Sequence, residues 1–197
     1  MGQSISLEDD VELAGAEPWP TETELQLRWA VQVNKWQPRE PEWRFLLSLL
    51  CEPQRREVQR QSALSDRKRA LVSRLLQRHC GRCVLGARDE QLVFARTKGG
   101  KPYIDSASAI NPRAPNFNFN VSHEGHWVVL ACEPALLVGI DVSAPFELRG
   151  GPPIGDFEKV RGSFANVLTE AEWVLVEEEP DEARRIRAFR RLWCLKE

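Results

Sequence analysis

A chain of 197 residues with 42% hydrophobic residues and a net charge of −2 can bury one large core or two small ones. No apolar run approaches the ~20 residues of a membrane-spanning helix, and no signal-peptide pattern opens the chain, so a membrane is not expected and the cytosol is the expected location. Five cysteines (Cys51, Cys80, Cys83, Cys132 and Cys194) fall in no framework spacing, which argues for reduced thiols.

In chain order, residues 1–24 are acidic and interrupted by Gly15, Pro18 and Pro20, and read as a mobile extension. Their start, Met1-Gly2-Gln3-Ser4-Ile5-Ser6, fits the N-myristoylation pattern, one short enough to arise by accident. Leu27, Trp29, Val31 and Val33 alternate with polar residues and predict a half-buried strand. A helix is expected over residues 41–50. A second helical stretch covers about 53–79, broken near Ser65, with Leu64, Leu71, Val72, Leu75 and Leu76 inward. Arg67, Lys68, Arg74 and Arg78 then form its outer face, which reads as a solvated basic surface.

Three strands are expected at 117–122, 127–132 and 137–142. Gly125 and the Glu133-Pro134 pair sit where tight connections fall, which predicts an antiparallel meander. Residues 145–163 carry three prolines and four glycines and read as a connection between a first unit (25–144) and a second (164–197). Thr169 with Glu172 resembles a capping box, and a final helix begins near Asp181.

Charge is unevenly placed. Residues 55–101 hold 13 Lys and Arg against 4 Asp and Glu, a balance of +9 that leaves −11 elsewhere. Such a segment suits phosphates, nucleic acid or an acidic protein surface, and charge alone does not choose among them. Nucleic acid is not expected, because no aromatic-basic recognition motif accompanies the cations. Arg96, Lys98, Gly99, Gly100 and Lys101 combine cations with glycines whose amides can approach an anion, without Walker-loop spacing. Cys80-Gly81-Arg82-Cys83 lacks the second pair that a zinc site needs.

Alternation in the strand at 117–122 puts Phe117, Phe119 and Val121 on one face and Asn118, Asn120 and Ser122 on the other. The polar row must bond neighbouring loops or line a cleft. His123, at the strand's end, is placed either to structure a turn or to meet a phosphate. Asp141 closes the apolar run Leu136-Leu137-Val138-Gly139-Ile140 and needs a cation or strong donors there, while Gly139 leaves room for something to approach. Glu197 lies four residues after Trp193 on the apolar stripe of the last helix. If Asp141 and Glu197 converge, they form a hard oxygen site suited to magnesium.

Taken in order, Gly100-Lys101-Pro102, the run from Asn118 to His123, Val138-Gly139-Ile140-Asp141 and Trp193-Cys194-Leu195-Lys196-Glu197 resemble the phosphopantetheinyl transferases of the larger, single-chain type. Pro115–His123 is especially similar to animal members, and Arg28-Trp29-Ala30 with Trp36 extends the likeness. The resemblance implies an α+β fold of two similar lobes related by a pseudo-twofold, with coenzyme A between them as donor. It implies that Arg96 and His123 hold phosphates of the adenosine moiety, with Lys101 and Ser122 nearby. Asp141 and Glu197 would bind magnesium, and Glu197, helped by Lys196, would serve catalysis. Acyl carrier protein domains of the fatty acid synthase and aminoadipate-semialdehyde dehydrogenase type are the implied partners, and a monomer is expected. Ser143 stands where many relatives carry a second acid. Relatives also continue beyond the position of Glu197, so the second lobe is expected to be incomplete and the chain to have little or no activity.

Overall fold

The computed structural model describes residues 25–105, 111–144 and 156–196, and everything below concerns these. The acidic start of the chain, with its myristoylation pattern, and Glu197 lie outside them. The architecture is mixed α+β, as expected.

A three-stranded antiparallel sheet organises the first unit. Its central strand β5 (Trp127–Glu133) pairs with β1 (Arg28–Gln32) on one side and β4 (Asn118–Glu124) on the other. The β4–β5 turn is made at Gly125, whose φ of 53° is a left-handed conformation that glycine adopts without strain. A Cβ there would also stand 2.6 Å from that of Ala144. Helix α3 (Leu64–Leu85) packs across the sheet, and Cys80 and Val84 meet Phe119, Leu130 and Cys132 in a core without solvent access. Helices α1 (Glu40–Ser48) and α2 (Glu52–Gln59) close the other side of α3 around Leu50, Val58 and Leu71. Beyond α3, which ends on left-handed Gly86, a short ribbon of β2 (Phe94–Arg96) and β3 (Pro102–Ile104) turns at Gly100.

Four expectations need correction. Leu64, expected inward, is 59% exposed, because it opens α3 before the helix reaches the core. The basic face of α3 is not generally solvated. Lys68 is buried with its ammonium donating to the Trp36 carbonyl (2.6 Å), Arg74 reaches Glu57 (2.5 Å), and Arg78 reaches Asp89 (3.3 Å) beside the Phe94 ring. Each cation found a local acceptor, which the helical pattern could not reveal.

Residues 137–142 do not form the third strand of a meander. They run parallel to β4 across its polar face, with their amides donating to side chains: Val138 to Asn118 Oδ1 (3.0 Å), Ile140 to Asn120 Oδ1 (2.7 Å), Val142 to Ser122 Oγ (3.4 Å) and Ala144 to Glu124 Oε2 (2.5 Å). The two-residue period of β4 is read out by every second amide of the neighbouring segment. Finally, the connection expected at 145–163 ends early. Phe157–Ser163 is helix α4, capped by Asp156, whose carboxylate accepts from the Lys159 amide (3.1 Å).

The second unit is helical among the described residues. Helix α5 (Glu170–Glu177) opens with the expected capping box: Thr169 N donates to Glu172 Oε2 (2.7 Å) and Glu172 N to Thr169 Oγ1 (3.3 Å). Helix α6 (Glu182–Lys196) begins just after Asp181, whose carboxylate accepts from Arg184 N (2.8 Å). With α4 they enclose a core of Phe157, Val160, Leu168, Trp173, Val176, Ile186 and Phe189.

Candidate functional site

The β2–β3 turn is built to offer cations. Gly100, at φ 84°, lets the Thr97 carbonyl accept from the Gly100 amide (2.9 Å) while Thr97 N donates to the Lys101 carbonyl (2.9 Å). The Arg96 guanidinium then folds back on the Gly100 carbonyl (2.9 Å), and Lys101 Nζ donates to the Val138 carbonyl (3.0 Å), joining the turn to the segment that carries Asp141.

This turn forms one wall of a cleft of about 910 Å³. Helices α2 and α3 form the opposite wall, and the end of β4 contributes Val121 and His123 to the lining. Among the described residues, six groups capable of positive charge reach it: Arg60, Arg69, Arg74, Arg96, Lys101 and His123. Opposing them are Glu57 and Asp66. Glu57 Oε2 lies 2.5 Å from Arg74 Nη2 and 3.9 Å from Arg96 Nη2, and Asp66 holds Arg69, which also donates to the Gly125 carbonyl. The cleft therefore has more cations than its carboxylates satisfy, within the size range of a small-molecule site.

Ser122 points away from this cleft, on the other face of β4, where its hydroxyl donates to Asp141 Oδ1 (2.6 Å). Asp141 also faces the Cys194 thiol of α6, which burial first and this carboxylate next push up to about 11. The first unit and α6 thus meet at Asp141. Glu124 is two residues beyond Ser122 on the same strand face. A Cβ on Gly139 would meet nothing within 4 Å, in keeping with an open approach. The described residues hold no group of three metal-ligating side chains. Lys196 is turned elsewhere: its ammonium lies 2.6 Å from Glu172 Oε2 and donates to the Val167 carbonyl (3.2 Å).

Three of the residues singled out in the sequence, Arg96, Lys101 and His123, therefore share one cleft, while Ser122 and Asp141 share a second locus behind β4. Arg60 and Arg69 stand in no sequence motif, and the helical period of α3 assigns Arg74 to a solvated face. Only the +9 balance of residues 55–101 hinted at them.

Residues 34–135, just over half of the chain, match the family model described as 4'-phosphopantetheinyl transferase, N-terminal. The chain belongs to this family. Among its phosphopantetheinyl transferase relatives, the Xenopus laevis and Homo sapiens proteins named L-aminoadipate-semialdehyde dehydrogenase-phosphopantetheinyl transferase are 32% and 34% identical to it. Each alignment takes in 87% of this chain but only 55% and 53% of the relative. A Thraustochytrium phosphopantetheinyl transferase is 31% identical over 86% of this chain and 57% of its own length. The chain thus spans about half the length of the curated relatives it matches.

The Glu172–Lys196 pair makes a pH prediction. Its hydrogen bonds, first from Lys196 and then from Thr169, hold the Glu172 carboxyl down at about 2 against an ordinary 4.5. A depressed folded value means that the contribution is complete above about 4.5 and is lost as pH falls toward 2. Solvent screening keeps it small. Urea midpoints measured across that window should fall less steeply for Glu172→Gln than for the unmodified chain, and parallel slopes would contradict the pairing.

Proposed function

We propose that the chain binds coenzyme A in the cationic cleft and transfers its 4'-phosphopantetheine to a serine of an acyl carrier protein domain. The observation that carries this is the convergence of Arg60, Arg69, Arg74, Arg96, Lys101 and His123 on one cleft in a chain of this family. Arg96 and His123 hold phosphates of the adenosine moiety, with Lys101 beside them. Arginine suits this work because its fork of N–H donors grips phosphate oxygens in pairs. The names of the relatives favour carrier domains of the aminoadipate-semialdehyde dehydrogenase kind, with those of fatty acid synthases as further candidates.

Asp141 and Glu197 are the residues that would hold magnesium. The donors around Asp141 fit a hard cation: a carboxylate beside the Ser122 hydroxyl, with Glu124 on the same strand face. Magnesium typically takes one or two carboxylates and completes its shell with waters and substrate phosphates. Bound there, it would neutralise charge on the pyrophosphate. Ser122 keeps Asp141 oriented. The carrier serine oxygen forms a bond to the β-phosphorus as the bond from that phosphorus to the bridging oxygen breaks. The electron pair leaves with adenosine 3',5'-bisphosphate, and the serine proton passes to Glu197, directly or through a water.

Mass spectrometry of an apo carrier protein incubated with the chain, coenzyme A and magnesium tests the reading, beside the same reaction with Asp141→Ala. A gain of one phosphopantetheine that disappears in the variant would support the transfer and overturn the sequence expectation of little or no activity. Coenzyme A bound without any mass gain would leave a binding protein in place of a transferase, and no binding of coenzyme A would sink both.

A further inference from the structure

Helix α6 carries a buried guanidinium whose donors are unmet. Arg190 is 8% exposed, and among the described residues its Nε and Nη2 have no hydrogen-bond partner. Those two nitrogens form one edge of the guanidinium, the edge that grips an oxyanion through two parallel N–H···O bonds. Leaving such an edge dry and unpaired is costly. Burial weakens the hold of Arg190 on its proton, with Glu124 acting the other way.

The surroundings are those of a built anion site. Arg190 lines a cavity of about 480 Å³ together with Ser143, Arg187, Arg191 and Cys194. Ser143 Oγ is also buried without a partner among the described residues and supplies a further hydroxyl. Arg187 and Arg191 are exposed and add charge at the mouth. No described residue lines both this cavity and the cationic cleft. His123 of β4 faces the cleft, whereas Ser122 and Glu124 direct their side chains toward the segment that carries Ser143.

We propose that this cavity is a second anion site, taking a phosphate group through the free edge of Arg190 and the Ser143 hydroxyl. Among the described residues, three guanidinium groups at this cavity outnumber the two carboxylates beside it, Glu124 near Arg190 and Asp141 at Cys194, which leaves net positive charge for a phosphate. The phosphate comes either from free inorganic phosphates or from coenzyme A.

Isothermal titration of the full chain with inorganic pyrophosphate, and separately with coenzyme A, tests this. Pyrophosphate should bind in a component that survives Arg74→Ala in the cleft and weakens at least tenfold in Arg190→Met. Arg190→Lys, which keeps the charge and loses the paired edge, should weaken it nearly as much. Without anion, Arg190→Met should raise the melting temperature, since it removes an unpaired buried charge, and pyrophosphate should raise that of the unmodified chain more. Competition by coenzyme A for the Arg190-dependent component would name coenzyme A as the source. Its absence would name the free anion. A pyrophosphate isotherm unchanged by both Arg190 substitutions, or an Arg190→Met chain that fails to fold, would overturn the site. Coenzyme A binding through Arg74 is read independently, so either reading can fail alone.

Discussion

Trp173→Ala is expected to destabilise the helical second unit by about 3–5 kcal/mol, the range for removing a fully buried aromatic side chain. Trp173 has no solvent access, stacks on Phe189 with centroids 5.4 Å apart and meets Phe157 edge-on at 6.4 Å. The Arg161 guanidinium covers it at 4.3 Å, and its Nε1 donates to the Ala165 carbonyl (3.2 Å). One side chain therefore joins α4, α5 and α6, and so small a core has little to replace it with. Hydrogen exchange should lose protection over residues 156–196 while β4 and β5 keep theirs. Release of α6 should also free the Cys194 thiol from burial and from Asp141, lower its pKa from about 11, and quicken its alkylation at mildly alkaline pH. Trp173→Phe should cost less, because it keeps the stack and loses only the indole bond and part of the volume. Unchanged exchange in Trp173→Ala would mean that other contacts hold this unit together.

That unit was only partly legible in the sequence, and for a local reason. The Thr169–Glu172 box and the start near Asp181 are short-range signals, and both appear as read. Helix α4 was hidden behind the Pro- and Gly-rich run, although Asp156 followed by Phe157 and Val160 carries a cap and an apolar spacing. Residues 137–142 misled for a different reason. An apolar run resembles a strand, but strand alternation does not say which backbone a polar row will satisfy. Here Asn118, Asn120, Ser122 and Glu124 take the amides that a sheet neighbour would otherwise have bonded, and Leu136 and Leu137 are left 70% and 83% exposed. The same limit applies to the cleft. Arg96, Lys101 and His123 stand in short motifs, whereas Arg60, Arg69 and Arg74 enter through the packing of α2 and α3 against the β2–β3 turn, a long-range event with no periodic signature.

The largest effect on binding should come from reversing one of those cations. Arg74→Glu is expected to weaken coenzyme A binding by about 100-fold or more. It removes a cation whose side chain is 16% exposed and sets a second carboxylate against Glu57. A charge-assisted hydrogen bond contributes about 1.5–3 kcal/mol, and replacing it with repulsion carries the change to two decades of affinity. Glu57 makes the argument sharper, because its carboxylate serves Arg74 at 2.5 Å and approaches Arg96 at 3.9 Å, so it competes with any phosphate for both. Glu57→Gln should therefore tighten coenzyme A binding several-fold, with the gain largest at low salt. The exchange Glu57→Arg with Arg74→Glu should restore much of what Arg74→Glu loses, since the cation returns to the same cleft from α2 and the ion pair is rebuilt. Titration calorimetry of the four proteins at two salt concentrations resolves these expectations. Weaker binding in Glu57→Gln would show that the carboxylate holds Arg74 in its working position, and the cleft's cations would then act as an ordered array and not as a pool of charge that Glu57 holds in check.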